Sequence, residues 1–271
     1  MEEIVVEDKT EENKVSEKKT GLVMFSGGYD STAVLHKLIV SGKFSELEVV
    51  YEKCQNFAGE YETNNAKKVY EFIKKKYAKR NEVELKWIEE NINLDWIGTN
   101  EGMEICLAMH LMTIMRHGEV QNFYLGWNKS NVETLDISKK MLEWFEKMRF
   151  SGTNIYFLEN LFNGANHYET KAMVVRYLLD CNLFDLPYTS SGFETEEEFK
   201  NREYWYKNNA KEMEVATALT EVYNFDSKDL SNIFSFKTTK QVQELFNKKR
   251  NEEKEKEENA NCKTVVQQES V

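Results

Sequence analysis

Apolar and polar positions along this chain follow two rhythms, and the switches between them predict an α/β fold. Gly21-Leu22-Val23-Met24-Phe25 is a short apolar run that stops at glycines, the pattern of a buried strand. Over 31–40, Ala33, Val34 and Leu38 recur at helical spacing. Leu47-Glu48-Val49-Val50-Tyr51 repeats the strand signal, and over 63–77 Ala66, Val69, Tyr70 and Ile73 share one helical face. Residues 82–88 alternate strictly, so the third strand is expected half buried or near a sheet edge. A strongly apolar helix is predicted over 104–116, a fourth strand over 122–126, a fifth over 154–158 and a further helix over 168–179. Strands alternating with helices predict a mainly parallel twisted sheet with helices on both faces, Rossmann-like, followed by a helical C-terminal part. Such sheets bind ligands beyond the carboxyl ends of their strands. The glycines after Phe25 and Leu125 fall at two such ends.

Composition sets the scale. With 271 residues, 41% of them hydrophobic, the chain suits one medium α/β domain with a small addition. Residues 1–19 mix Glu and Lys with few large apolar groups and read as a disordered lead. The α/β domain is expected over 20–185, a helical region over 186–246 and a charged tail over 247–271. The net charge is −11, of which residues 1–20 carry −3 and the tail none, leaving −8 on the body. An acidic body suits a small-molecule substrate better than nucleic acid, which is gripped by Lys and Arg. No apolar run is long enough to span a bilayer, and the first residues are too charged for a signal peptide. Cys54, Cys106, Cys181 and Cys262 lack the close spacing of a zinc or redox motif and read as free thiols in a reducing compartment. A cytoplasmic protein without a membrane partner is expected, with a homo-oligomer left open.

The candidate chemistry lies in Phe25-Ser26-Gly27-Gly28-Tyr29-Asp30-Ser31-Thr32, where the first strand turns into the first helix. Two glycines let a ligand approach the main chain. The helix start offers unpaired N–H groups and a partial positive charge, so the turn is an anion cradle. Ser26, Ser31 and Thr32 add hydroxyls. Asp30 repels a bare phosphate but fits if Mg²⁺ bridges it to the ligand. The simpler alternative is a tight turn with Ser or Asp capping the helix. The string is neither a Walker A loop nor a dinucleotide fingerprint.

Ser26-Gly27-Gly28-Tyr29-Asp30-Ser31 resembles the S-G-G-x-D-S signature of the PP-loop ATP pyrophosphatases, whose fold is of the adenine nucleotide alpha hydrolase type. The resemblance implies ATP and Mg²⁺, bound by Ser26, Gly27, Gly28, Tyr29, Asp30, Ser31, Thr32 and Gly126. It also implies transfer of AMP to a substrate oxygen and displacement by a nitrogen or sulfur nucleophile. Within the superfamily the chain is most similar to the 7-cyano-7-deazaguanine synthases of the queuosine pathway, over about 19–189. Val49-Val50-Tyr51 leads into Gln55-Asn56, Glu62 and Ala66, Tyr124-Leu125-Gly126 follows a long helix, and Thr170-Lys171-Ala172 opens a helix before Leu186-Pro187-Tyr188-Thr189. By this likeness Asp30 orients Mg²⁺ and Lys171 offsets charge at the α-phosphate. The resemblance breaks elsewhere. The family's four zinc cysteines are missing after Thr189, so no zinc site is expected. Gly102-Met103-Glu104 and Trp127-Asn128-Lys129-Ser130-Asn131 stand where the family has other substrate residues. A ligase acting on 7-carboxy-7-deazaguanine, a PP-loop enzyme with another acceptor and a non-catalytic ATP-binding subunit all remain open.

The other candidates have plainer readings beside the functional ones. Lys171 is also what an ordinary surface lysine in a first helical turn looks like, and Gly126 faces either a ligand or a turn. Asn128 is a minor candidate, and Tyr51 reads as core or sheet edge. His36, His110, His117 and His167 are scattered. His110 and His117, seven apart on one apolar helix, read as packing or surface residues rather than metal ligands. Glu194 to Glu198 read as an exposed acidic helix start.

Overall fold

The computed structural model describes residues 19–54, 60–92, 102–129, 154–183, 210–234 and 240–249, with single positions at 139, 140, 143, 197, 251 and 252. The elements are β1 (Lys19–Met24), α1 (Tyr29–Val40), β2 (Phe44–Cys54), α2 (Glu60–Ile73), β3 (Glu84–Ile92), α3 (Gly102–Arg116), β4 (Asn122–Tyr124), β5 (Asn154–Tyr156), α4 (Leu158–Phe162), α5 (His167–Asp180), α6 (Ala210–Tyr223) and α7 (Ser227–Phe234). A further helix covers 240–249. Expectations for residues 1–18, Gln55-Asn56, Leu186-Pro187-Tyr188-Thr189, most of 194–198 and 253–271 lie outside the described residues.

The five described strands form one sheet in the order β3-β2-β1-β4-β5, with every pairing parallel. This is the Rossmann-like α/β fold that the sequence predicts. The chain runs outward from β1 to β2 and β3, then returns to the other side of β1 for β4. The crevice beyond the carboxyl ends of β1 and β4 is therefore the topological switch point, where such sheets take their ligands.

Alternation along each strand divides the core in two. Val23 and Val49 pack with Ala33, Leu35, Ala66, Val69, Val175 and Leu179 from α1, α2 and α5. Leu22, Met24 and Val50 face the other way, onto Leu111 and Ile114 of α3. Helices thus cover both faces. The C-terminal helices join the first of these cores through Val215, Leu219, Phe225, Leu230, Ile233, Val242 and Phe246. Burying a side chain of this size contributes roughly 1.5–3 kcal/mol.

Element boundaries differ from the sequence expectation where the backbone turns. The helix expected to 77 is α-helical only to Ile73 and continues as a π turn, Lys74–Ala78, and a 3₁₀ turn, Lys79–Asn81. Glu82 then adopts φ 55°, so the third strand starts two residues later than its alternation suggests. The expected fourth and fifth strands stop at Tyr124 and Tyr156. Leu158 instead opens α4, and its N–H donates to the Trp127 carbonyl (2.8 Å).

Candidate functional site

The turn after β1 is built on one left-handed residue. Gly27 has φ +78°, and a Cβ there would lie 2.6 Å from the Ala66 Cα. Any side chain would clash with α2, so this glycine is needed twice over. Gly28 has φ −76° and ψ 176°, an extended conformation open to other residues. Of the two glycines, Gly27 alone adopts a backbone angle closed to other residues.

The serines organise this turn internally. The Ser26 N–H donates to Ser31 Oγ (3.2 Å), and the two hydroxyl oxygens lie 3.2 Å apart. The Gly28 N–H donates to Ser26 Oγ (3.4 Å), and Ser31 Oγ donates to the Gly28 carbonyl (3.3 Å). Gly28 holds the N-cap position of α1, so no side chain caps that helix. At α5, by contrast, Asn166 Oδ1 accepts from the Glu169 N–H (2.9 Å). The capped-turn alternative thus describes α5, while α1 begins without a side-chain cap.

Gly126 sits against this turn. A Cβ there would lie 2.9 Å from the Ser31 nitrogen, so the end of β4 and the start of α1 touch through main chain. Tyr29 packs against the core, and Thr32 is fully buried with its hydroxyl unpartnered. Asp30 Oδ1 is also buried without a partner. An unpaired buried carboxylate oxygen costs free energy unless a ligand meets it.

The other oxygen of Asp30 accepts a bond from Lys171 in the first turns of α5. Lys171 is buried and also lies 3.4 Å from Glu214 of α6. Burial opposes its charge, but Asp30 and Glu214 outweigh that effect and hold its pKa above the ordinary lysine value. Glu214 also bonds His167 Nε2, one helical turn before Lys171. Burial works against ionising Glu214, yet the bond from His167 and the charge of Lys171 prevail and bring its pKa down to about 2.

The network continues to the end of β4. With its amide oriented to satisfy both neighbours, Asn128 accepts from His167 Nδ1 and donates to Glu159 (3.2 and 3.3 Å). Glu159 also accepts from the Lys129 N–H (2.9 Å). Six side chains from α1, the β4 end, α4, α5 and α6 thus form one chain of polar contacts at the switch point. Sequence reasoning singled out Asp30, Lys171 and Asn128 but passed over His167 as scattered and missed Glu159 and Glu214. The i, i+4 spacing of His167 and Lys171 behind an Asn166-x-x-Glu169 helix start was the available signal for His167. Nothing local marks Glu214.

The remaining candidates lie apart from this network. Tyr51 is buried, stacks on Trp87 (5.6 Å) and bonds Thr63 (3.2 Å). His36 is buried in the α1–α5 contact, bonded to the Tyr177 hydroxyl (2.8 Å). His110 and His117 pair with glutamates of the sheet. Among the described residues, no group of three or more His, Cys, Asp or Glu is placed to hold a metal ion, and no helix is long and apolar enough to cross a membrane.

No protein-family profile matches this chain, and no curated protein matches it. Among solved structures it is similar to the U34-tRNA thiolase of Methanococcus maripaludis, determined with its 4Fe–4S cluster. The TM-score is 0.38 at 13% identity, over 77% of this chain and 74% of that one. A likeness that loose has no bearing on what this chain binds.

Proposed function

We propose that this chain is an ATP-using enzyme of the PP-loop type that transfers AMP to an oxygen of a small-molecule carboxylate. The observation that carries the reading is the pairing of two features at one helix start. The α1 N-terminus lacks a side-chain cap, and Asp30 beside it keeps one buried oxygen unpartnered while the other holds Lys171.

The residues present fit Mg-ATP. The first-turn N–H groups of α1, with Gly27 giving room, suit the β- and γ-phosphates. Asp30 Oδ1 is the carboxylate oxygen available to Mg²⁺, which would screen the charge between the polyphosphate and this acidic site. Lys171, kept protonated by its two carboxylates, offsets charge at the α-phosphate by electrostatic stabilisation. The carboxylate oxygen of the acceptor forms a bond to the α-phosphorus, and pyrophosphate leaves. Rate then comes mostly from holding the reactants in line.

The acceptor best supported by resemblance is 7-carboxy-7-deazaguanine, with ammonia displacing AMP to give an amide and a second activation giving the nitrile. The absence of the family's four-cysteine segment after Thr189 favours a second reading, in which the same adenylation serves a different small molecule or protein. The test is incubation with Mg-ATP, ammonia and 7-carboxy-7-deazaguanine. Pyrophosphate, AMP and the nitrile are the expected products. ATP cleavage only with another acceptor selects the second reading, and ATP binding without turnover under any condition contradicts both.

A further inference from the structure

Near the carboxyl ends of β1 and β2, the α3 face of the sheet carries a second set of polar contacts. On the α3 side, Glu52 extends from β2 two residues past Val50, the partner of the last residue of β1. Its side chain is only 5% exposed, and both of its oxygens are used. One oxygen meets His110 Nδ1 (2.6 Å) and the other accepts from Thr113 Oγ1 (2.6 Å). Thr113 is fully buried, so it locks the carboxylate rather than competing for solvent. The His110 ring packs against Trp127, with ring centres 4.9 Å apart. Trp127 directly follows Gly126, the residue that touches the α1 start.

Glu52 from β2 and Trp127 from the β4 end thus converge on His110 from the two sides of β1. A carboxylate held on Nδ1 fixes the ring with Nδ1 as donor and Nε2 as the basic nitrogen. The anion cradle lies at the start of α1, on the opposite face of the same sheet end. His117, two turns further along α3, makes a useful contrast: both its nitrogens face glutamates, Glu48 at 3.1 Å and Glu90 at 3.4 Å. Of these two histidines, His110 is the one with a ring nitrogen that meets no partner among the described residues.

We propose that His110, positioned by Glu52 and Thr113, is the catalytic base of the second half-reaction. This rests on the adenylation reading above. The nucleophilic nitrogen, of ammonia or a small amine, forms a C–N bond to the adenylated carbon. The C–O bond to AMP breaks, AMP leaves with the electron pair, and the proton shed by the nitrogen passes to His110 Nε2. Base catalysis of this kind contributes about 10²–10⁴-fold.

Two measurements test it. In protein carrying ¹⁵N-labelled histidine, Mg-ATP should shift the Nε2 resonance of His110 and leave that of His117 in place. An unmoved His110, or equal shifts at both, overturns the proposal. With Mg-ATP, ammonia and the deazaguanine carboxylate, His110→Gln should keep ATP–pyrophosphate exchange within about 2-fold while product formation falls about 10²-fold or more. Glu52→Gln should fall less, and unfolding temperatures of both variants verify that they are folded. Loss of exchange and product together in folded His110→Gln, or loss of neither, contradicts the role. If the unaltered protein binds no ATP at all, the loop reading itself fails and this inference falls with it. ATP binding with a silent His110 defeats the inference alone.

Discussion

Lys171 donates to Asp30 across 141 positions of sequence, joining the start of α5 to the start of α1. The bond brings together the two residues that the sequence offers for charge chemistry at phosphate. In this state the positive charge of Lys171 is already balanced, by Asp30 on one side and Glu214 at 3.4 Å on the other. On the proposed reading, polyphosphate binding at this point competes with a carboxylate of α6.

That competition gives the first prediction. Lys171→Met takes their shared lysine from two partly buried carboxylates, Asp30 and Glu214, and should destabilise the fold by about 1–3 kcal/mol. Adding Glu214→Gln to it should restore part of that stability but none of the activity. Activity should fall about 10²–10³-fold in both variants, since the proposed mechanism uses this charge to stabilise the transition state. Chemical denaturation with a pyrophosphate-release assay measures both effects. Full activity in folded Lys171→Met would remove this lysine from the mechanism.

Backbone approach gives the second. Gly27 and Gly42 both have positive φ, but a Cβ at Gly27 meets the backbone of Ala66 at 2.6 Å while one at Gly42 meets nothing within 4 Å. Gly42→Ala should cost only the left-handed backbone term, about 1–2 kcal/mol, with ATP affinity unchanged. Gly27→Ala adds a clash worth about 1–3 kcal/mol more and should also weaken ATP binding, because the displaced backbone is the cradle itself. Thermal melts with ATP titrations on both variants check the contrast.

Acid should act through His36. Burial first, then the nearby Lys76 charge, bring its pKa from 6.5 down to about 4. The unfolded chain therefore binds a proton between these values that the folded chain refuses. Stability is fully present above about pH 6.5 and declines as pH falls toward 4, by at most about 1.4 kcal/mol per pH unit for this one group. Glu214 adds a separate loss that begins as pH falls below about 4.5 and runs on toward its folded pKa of about 2. In His36→Gln the stability curve should be flatter between pH 6.5 and 4, and identical slopes in the two proteins would contradict the assignment.

How much of this was legible follows from where the information sits. The five described strands and the helices between them announce themselves locally, because burial on one or both faces writes a period into the sequence. The strictly alternating third strand does lie at an edge of the sheet formed by the described strands, one of the two placements its alternation suggests. Strand ends were less legible: beyond Tyr124 and Tyr156 the chain turns to contacts between distant segments, such as the Leu158 N–H on the Trp127 carbonyl, which no local pattern marks. The loop was visible as a motif, since glycine, hydroxyl and carboxylate functions are crowded into six residues. Glu214 and Glu159 were not visible, because each acts through a tertiary contact that leaves no local pattern. Glu52 and His110 were hidden for the same reason, as one sits on a strand and the other on an apolar helix.

The central claim is that the turn from β1 into α1 holds the phosphates of ATP, and calorimetric titration of Mg-ATP tests it most directly. The unaltered protein should bind one ATP with a dissociation constant in the range of about 1 μM to 1 mM, as substrates of such enzymes do. Asp30→Asn, verified as folded, should bind about 10-fold or more weakly, a loss near 1.4 kcal/mol. No binding by the unaltered protein, or equal affinity in the two, would contradict the claim.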